Sequence, residues 1–364
     1  MQKVLVTNSS IPSTSLSPPL GSTGTWTPLT SVPTLQALDY SAYGQGMHFY
    51  ASKSFFDSKL NRQIYFGWAL VPPASTQTLP RVTNYHAGLK ILTFNPIPEL
   101  SSLRANPPLF SATSLTLSNE SFWLGNFQQG VGNQSELGAT FLFPTSGPII
   151  TFGVSVLTGF INGKANNVST RIVFNFDPTN FSLKASIGGS NTPPANLSYY
   201  MPGIDLPGGD YNVTDVNYTD PHICQAQCTS DGDKCKAYTY VVRPPLAGSC
   251  CLKGDVPSPN PSSSCTSGSK IPNPLPNDSA TFDVLLVAGD TAVDVRVFTD
   301  NTFIEVFIMQ GRHAITYGIN KGVESTTAGM TLFSSGQIQV ENVNAWHLNS
   351  IWVDPKDVLA SRKK

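Results

Sequence analysis

The chain has 364 residues, 40% of them hydrophobic and only 12% charged, with a formal net charge of −1. That length suits one large domain or two ordinary ones, each with a real core. The near-neutral balance excludes the basic face with which a nucleic-acid binder displaces counterions, and no run nears the ~20 apolar residues of a membrane-crossing helix.

The start, MQKVLVTNSS, has one Lys and no apolar segment, so it does not read as a signal peptide. From there strand signals dominate. QIYFGWALV (63–71), ATFLFP (139–144), PIITFGVSVLTGF (148–160), RIVFNF (171–176), TFDVLLVAG (281–289), AVDVRVFTD (292–300) and TFIEVFIM (302–309) are rich in Val, Ile, Phe and Thr. Gly, Pro, Asn and Asp bound them, as half-buried antiparallel strands require. In DVRVF, period two puts Val295 and Val297 on one face, with Asp294, Arg296 and Phe298 on the other. Amphipathic helix is nearly absent. The best short candidate is PIPELSSLR (96–104), where Ile97, Leu100 and Leu103 share a side. Trp68 reads as a core residue, although its ring could stack on a sugar. Asp300 and Glu305, five apart on one strand, project to opposite faces and make no catalytic pair. Glu305 reads as an ion-pair partner of Arg296 or Arg312. Trp346 and Trp352 are expected to share a strand face and close the core.

All six cysteines, Cys224, Cys228, Cys235, Cys250, Cys251 and Cys265, crowd into a segment, 205–275, that breaks the strand pattern. Cys224 and Cys228 share a helix face if a short helix starts at Asp220-Pro221. Strands are expected around AYTYVV (237–242) and SCCLK (249–253). So small a unit buries little, and three disulfides are the expected stabiliser. Zinc ligation is the competing reading. No Cys-x-x-Cys pair occurs and His222 is the only nearby imidazole, so neither a metal nor a cofactor is expected. Sequons stand at Asn8, Asn119, Asn133, Asn167, Asn180, Asn196, Asn212, Asn217 and Asn277. With the clustered cysteines they favour a secreted, extracellular protein, and Met1 then reads as other than the natural beginning.

Seven stretches, taken in order, resemble landmarks of glycoside hydrolase family 32, the invertase, inulinase and fructan-hydrolase group. They are DYSAYGQGMHFYASKSFFD (39–57), RQIYFGWALV (62–71), QTLPR (77–81), NPIPELSSLR (95–104), GNQSEL (132–137), VDVRVFTDNTFIEVFIMQGRHAIT (293–316) and NAWHLNSIW (344–352). Asp300-Asn301-Thr302 stands where the family has Asp-Arg/Lys-Ser, and the 39–48 loop is longer than usual. The cysteine segment resembles an apple/PAN-like module in its Cys-x3-Cys-x6-Cys-x-Ala-Tyr-Thr-Tyr pattern.

The resemblance implies an all-β fold. Residues 1–95 would be the C-terminal part of a five-bladed propeller, 96–106 a linker and 107–355 a β-sandwich, with 205–275 inserted in it. Family chemistry uses two carboxyl groups about 5–5.5 Å apart in a retaining enzyme. The motifs that carry them, around Asn-Asp-Pro, Arg-Asp-Pro and Glu-Cys, are absent, so no catalytic residue is expected here. The chain is expected to begin just after the last of them. What remains of a sugar pocket would be Asp39 and His48, both of which also suit ordinary turn positions. The implied activity is hydrolysis of sucrose or fructans, with the missing propeller part as partner. The alternative is a non-catalytic, carbohydrate- or protein-binding sandwich. Neither reading involves nucleic acid or membrane.

Overall fold

The computed structural model describes residues 39, 48–71, 75–124, 132–158, 160–161, 164–165, 170–189, 198–216, 219–242, 248–257, 260–270, 280–300, 303–319, 329–350 and 356. The first sheet is an antiparallel meander of β1 (Phe49–Asp57), β2 (Arg62–Ala69), β3 (Thr76–Gln77), β4 (Arg81–His86) and β5 (Ile91–Pro96). Its order is β1-β2-β4-β5, with β3 on β2. The Asp57 carboxylate turns the chain by accepting the N–H groups of Lys59 and Leu60. Period two sends Tyr65, Gly67 and Ala69 inward, all buried. Trp68 is therefore turned out, against the expectation of a core residue. It is 45% exposed and faces Tyr50 across the strands, with ring centroids 6.1 Å apart.

One 3-10 turn, Pro98–Leu103, takes the place of the short helix expected at 96–104. Leu100 and Leu103 pack inward from it. Then come β6 (Phe110–Trp123), β7 (Gln134–Leu142), β8 (Ile150–Thr158), the small ribbon β9 (Phe160–Ile161) and β10 (Lys164–Ala165), β11 (Thr170–Asp177) and β12 (Ser182–Gly189). The chain next enters the cysteine-rich part through β13 (Ser198–Asp205), β14 (Asp210–Val216), α1 (His222–Ser230), β15 (Ala237–Val241), β16 (Gly248–Lys253) and β17 (Asn260–Lys270). It returns with β18 (Ala280–Val284), β19 (Ala292–Asp300), β20 (Phe303–Ile308), β21 (His313–Gly318) and the long β22 (Gly329–His347).

Two layers share β22. Gly329–Ser334 pairs with β8, which continues to β11, β12 and β18. Val340–His347 pairs with β7, which continues to β19, β20 and β21. A register shift between Ser334 and Gln337 marks the change of layer, where a bulge bends the strand. Between the layers lie Leu137, Phe141, Val295 and Val297 on one side and Phe152, Val154 and Phe174 on the other. Phe141 and Phe152 are 5.0 Å apart. The faces expected for DVRVF hold: Val295 and Val297 enter this core, and Phe298 packs instead toward the first sheet.

The cysteine-rich part continues the sandwich sheet. β13 pairs in parallel with β6 at Ser121 and Phe122, and the order runs on through β17, β15, β16 and β14. Disulfides join Cys224 of α1 to Cys250 of β16, and Cys228 to Cys235. The third expected bridge is absent: Cys251 and Cys265 are not joined to each other. Cys251 is in register with Thr239 and Cys265 with Val241, so all of β15 separates them. Two strand spacings are about 9.5 Å, beyond the ~7 Å that a disulfide spans between Cα atoms.

His222, at the start of α1, fastens this part to the sandwich. Its Nε2 is 3.1 Å from Glu120 Oε2 of β6, and its Nδ1 is 2.8 Å from Asp220 Oδ1. The ring stacks on Tyr200 of β13 at 4.6 Å. The Glu120 hydrogen bond, helped by Asp220 and opposed by burial, raises the imidazole to about 9. The native state thus binds this proton more tightly than the unfolded chain, near 6.5. Its contribution is complete below about pH 6.5 and is lost as pH rises through 9. His222→Gln should lower the thermal midpoint at pH 7 and leave it unchanged at pH 10. An equal drop at both pH values would refute the charged latch.

Candidate functional site

The two candidate sugar contacts, Asp39 and His48, come together, but on a strand of the sandwich. Asp39 is 1% exposed. Its Oδ1 accepts the Thr316 N–H at 2.9 Å and its Oδ2 accepts the Thr316 hydroxyl at 2.8 Å. Two residues further along β21, Gly318 donates its N–H to His48 Nδ1 at 3.0 Å. His48 is half-buried, and burial lowers its basicity against the pull of Asp39.

Arg81, from the Leu-Pro-Arg landmark, completes the cluster. Its Nη2 donates to Asp39 Oδ2 at 2.9 Å, to Glu305 Oε2 at 2.7 Å and to the Thr316 hydroxyl at 3.1 Å. Phe49 and Phe307 flank the guanidinium at 5.2 and 5.1 Å. Leu79 N–H donates to Glu305 Oε1 at 2.5 Å. Glu305 therefore pairs across the seam between sheets, and the expected partners Arg296 and Arg312 are engaged elsewhere. Burial raises Glu305 to about 7 even against Arg81.

Glycines let the seam close. Phe49 lies over Gly67, where a Cβ would sit 2.4 Å from the ring. Gly311, in the turn between β20 and β21, has φ +81° and touches the Phe94 backbone, whose N–H it accepts at 2.8 Å.

A second clamp holds the 3-10 turn. Glu136 of the Asn-Gln-Ser-Glu-Leu landmark accepts Arg104 Nε and Nη2 at 2.8 Å each, and Arg296 Nη2 at 2.8 Å. Although burial pushes this carboxyl up, the two arginines hold it below its ordinary value. Arg104 lies 3.8 Å over Trp346, so this ring serves the linker and does not close the core. Trp352 falls outside the described residues.

The expected geometry of Asp300 and Glu305 is also corrected. A hairpin separates them, pairing Asp300 with Phe303 and Phe298 with Glu305. Both therefore project to the same face. Asp300 is exposed while Glu305 is sealed in the seam. Among the described residues no group of three or more His, Cys, Asp or Glu could hold a metal, and no helix is long and apolar enough to cross a membrane. Sequence reasoning missed Arg81 and Thr316; the one signal was the position of Arg81 at the end of a landmark.

This arrangement joins two sheets around buried charge and keeps both carboxylates from solvent. Residues 261–347 match the model for the C-terminal part of glycosyl hydrolases family 32, and residues 204–253 match the PAN domain. The similarity to family 32 thus lies in this C-terminal stretch, and the similarity to a PAN domain in the cysteine-rich part that precedes it. A β-fructofuranosidase, the insoluble isoenzyme CWINV4 of Arabidopsis thaliana, is 42% identical over 69 residues, 16% of this chain and 12% of that protein. Fructan 1-exohydrolase IIa from Cichorium intybus is similar over 85% of this chain and 49% of its own, at 17% identity and a TM-score of 0.43. Fructofuranosidase from Schwanniomyces occidentalis, solved with fructose, is similar over 84% and 49%, at 14% identity and a TM-score of 0.47. The chain spans about half the length of these two structures.

Removing Arg81 leaves two buried carboxylates unpaired, which costs about 3–5 kcal/mol. Arg81→Ala should therefore lower stability by about that amount in urea melts. Glu305→Gln leaves a neutral Arg81–Asp39 pair and should cost far less. Because the native state raises Glu305 above its unfolded value of about 4.3, its contribution is greatest below that pH and declines as pH rises to 7. Wild type should thus lose stability relative to Glu305→Gln between pH 5 and pH 8. Parallel pH curves would contradict the raised Glu305 carboxyl.

Proposed function

We propose that this chain is the C-terminal portion of a β-fructofuranosidase-like glycosidase acting on sucrose or fructans. The match of residues 261–347 to the family 32 C-terminal model carries the reading. The local identity to a plant β-fructofuranosidase supports it. Hydrolysis in that family would need a nucleophile and an acid/base carboxyl group flanking the bond. None of the motifs that hold them occurs in these 364 residues. Asp39 and Glu305 are stapled to Arg81. The chemistry is therefore assigned to a propeller part outside this sequence, with residues 1–95 as the continuation of that propeller. Residues 96–106 would be the linker, 107–355 the sandwich and 205–275 its insertion.

In this reading Asp39 and His48 are the contacts that remain to a fructosyl unit. Both are fixed to β21, through Thr316 and Gly318. The two disulfides and the sequons support an extracellular protein. The PAN match favours a second reading, a non-catalytic sandwich that binds carbohydrate or protein.

The purified chain should show no turnover of sucrose, inulin or levan. Turnover that Asp39→Ala or Asp300→Ala abolishes would overturn the assignment of the chemistry elsewhere. Sequencing the transcript upstream of the Met1 codon separates the two readings. An open frame encoding Asn-Asp-Pro, Arg-Asp-Pro and Glu-Cys is expected from the first, and its absence would favour the second.

A further inference from the structure

The sequence carries nine sequons, and the structure distinguishes among those it describes. In the Asn119 sequon, Ser121 is fully buried, and the middle residue, Glu120, holds His222. In the Asn133 sequon, Asn133 is half-buried and the buried Ser135 donates to the Gly132 carbonyl at 2.8 Å. Asn180 is exposed, but its amide donates to Asp177 Oδ2 at 2.7 Å within a turn. The Asn212 sequon differs from all three. Asn212 and Thr214 are both exposed, and neither side chain makes a hydrogen bond among the described residues. Nothing has to move for an oligosaccharide to leave from this position.

The setting of Asn212 adds the second observation. It lies on β14, the end of the fifteen-stranded sheet, which among the described residues pairs only with β16. Such an edge presents a row of unpaired backbone groups that invites another strand. Of the usual guards β14 has only two Asp, held by Lys253 and Ser249 of β16, and a register shift between Asp210 and Asn212; it carries no Lys and no Pro, and Val213 is 52% exposed. An open edge with an exposed Val is a site of strand-to-strand association unless something bulky covers it.

We propose that Asn212 is an N-glycosylation site and that its glycan guards the open edge of β14. The donor is a polyprenyl-pyrophosphate-linked oligosaccharide, transferred by an oligosaccharyltransferase of the secretory route. Asn212 Nδ2 forms a bond to C1 of the first sugar. The C1–O bond breaks with its electron pair leaving on the pyrophosphate, and Nδ2 gives up one proton. The product is a neutral, strongly hydrated branch on a surface position of the edge strand. This inference is independent of the glycosidase reading and survives its failure.

The full chain, secreted from a eukaryotic cell behind a supplied leader, tests it. Glycopeptide mass spectrometry, with fragmentation that separates Asn212 from Asn217, should place a glycan on Asn212. Thr214→Ala should lose that glycan mass, and Thr214→Ser should retain it. In light scattering, Asn212→Gln and Thr214→Ala should give dimers or larger species where wild type and Thr214→Ser are monomeric. Val213→Lys in the Asn212→Gln background should restore the monomer, because a lysine guards the edge without a glycan. An unmodified Asn212 in the secreted protein would overturn the site. A fully glycosylated protein whose Thr214→Ala variant remains monomeric would overturn the guarding role.

Discussion

A single guanidinium, that of Arg81, holds two buried carboxylates contributed by residues 42 and 224 positions away along the chain. Each carboxylate taken from water costs several kcal/mol unless it finds an opposite charge and hydrogen bonds of good geometry. Asp39 and Glu305 find both in one place. The first sheet can dock on the sandwich only where Arg81, Thr316 and the Leu79 N–H meet those oxygens. Apolar contact among Phe49, Tyr65, Phe94, Phe298 and Phe307 supplies area but little direction. The ion cluster supplies the register.

That division explains what the sequence landmarks are for. Leu-Pro-Arg yields Arg81, Leu-Ser-Ser-Leu-Arg yields Arg104, and Asn-Gln-Ser-Glu-Leu yields Glu136. Val-Asp-Val-Arg-Val-Phe yields Arg296, Ile-Glu-Val-Phe yields Glu305, and Asn-Ala-Trp-His yields Trp346. With Asp39 these six residues make up the two clamps, Asp39–Arg81–Glu305 and Arg104–Glu136–Arg296 over Trp346. Stretches recognisable as motifs are therefore spent on joining sheets. Motif strength here reports a demanding interface as much as it reports chemistry.

Local periodicity made much of the fold legible. Val295 and Val297 face the core, Cys224 and Cys228 share a buried helix face, and the strands of the cysteine-rich part lie where expected. The misreadings have one origin, since faces were assigned without knowing where the chain turns or bulges. The hairpin at 300–303 brings Asp300 and Glu305 to the same face. Strand phase turns Trp68 outward although its composition reads as core. The partner of Glu305 is the hardest case. Arg296 and Arg312 are near in sequence, but Glu136 and Asp290 already hold them. Pairing among distant charges follows from topology, which neighbouring residues do not encode.

Topology also decides how the PAN domain is carried. An insertion tethered by two loops would be free to reorient, but here the sheet passes through it from β6 by way of β13. β6 itself bends sharply: Ser114 and Asn119 have left-handed φ values of 56° and 54°, and the register against β22 shifts beside Asn119. The bend brings Phe110 within 5.8 Å of Phe122, which stacks on Tyr200, which in turn stacks on His222. Phe110 pairs with Ala345, next to the Trp346 that lies under Arg104. One strand thus reaches from the clamp that fixes the first sheet to the latch that fixes the PAN domain. Movement of either unit would have to unstack this row or break a buried carboxylate contact, so the three units are fixed in mutual orientation by contacts centred on β6.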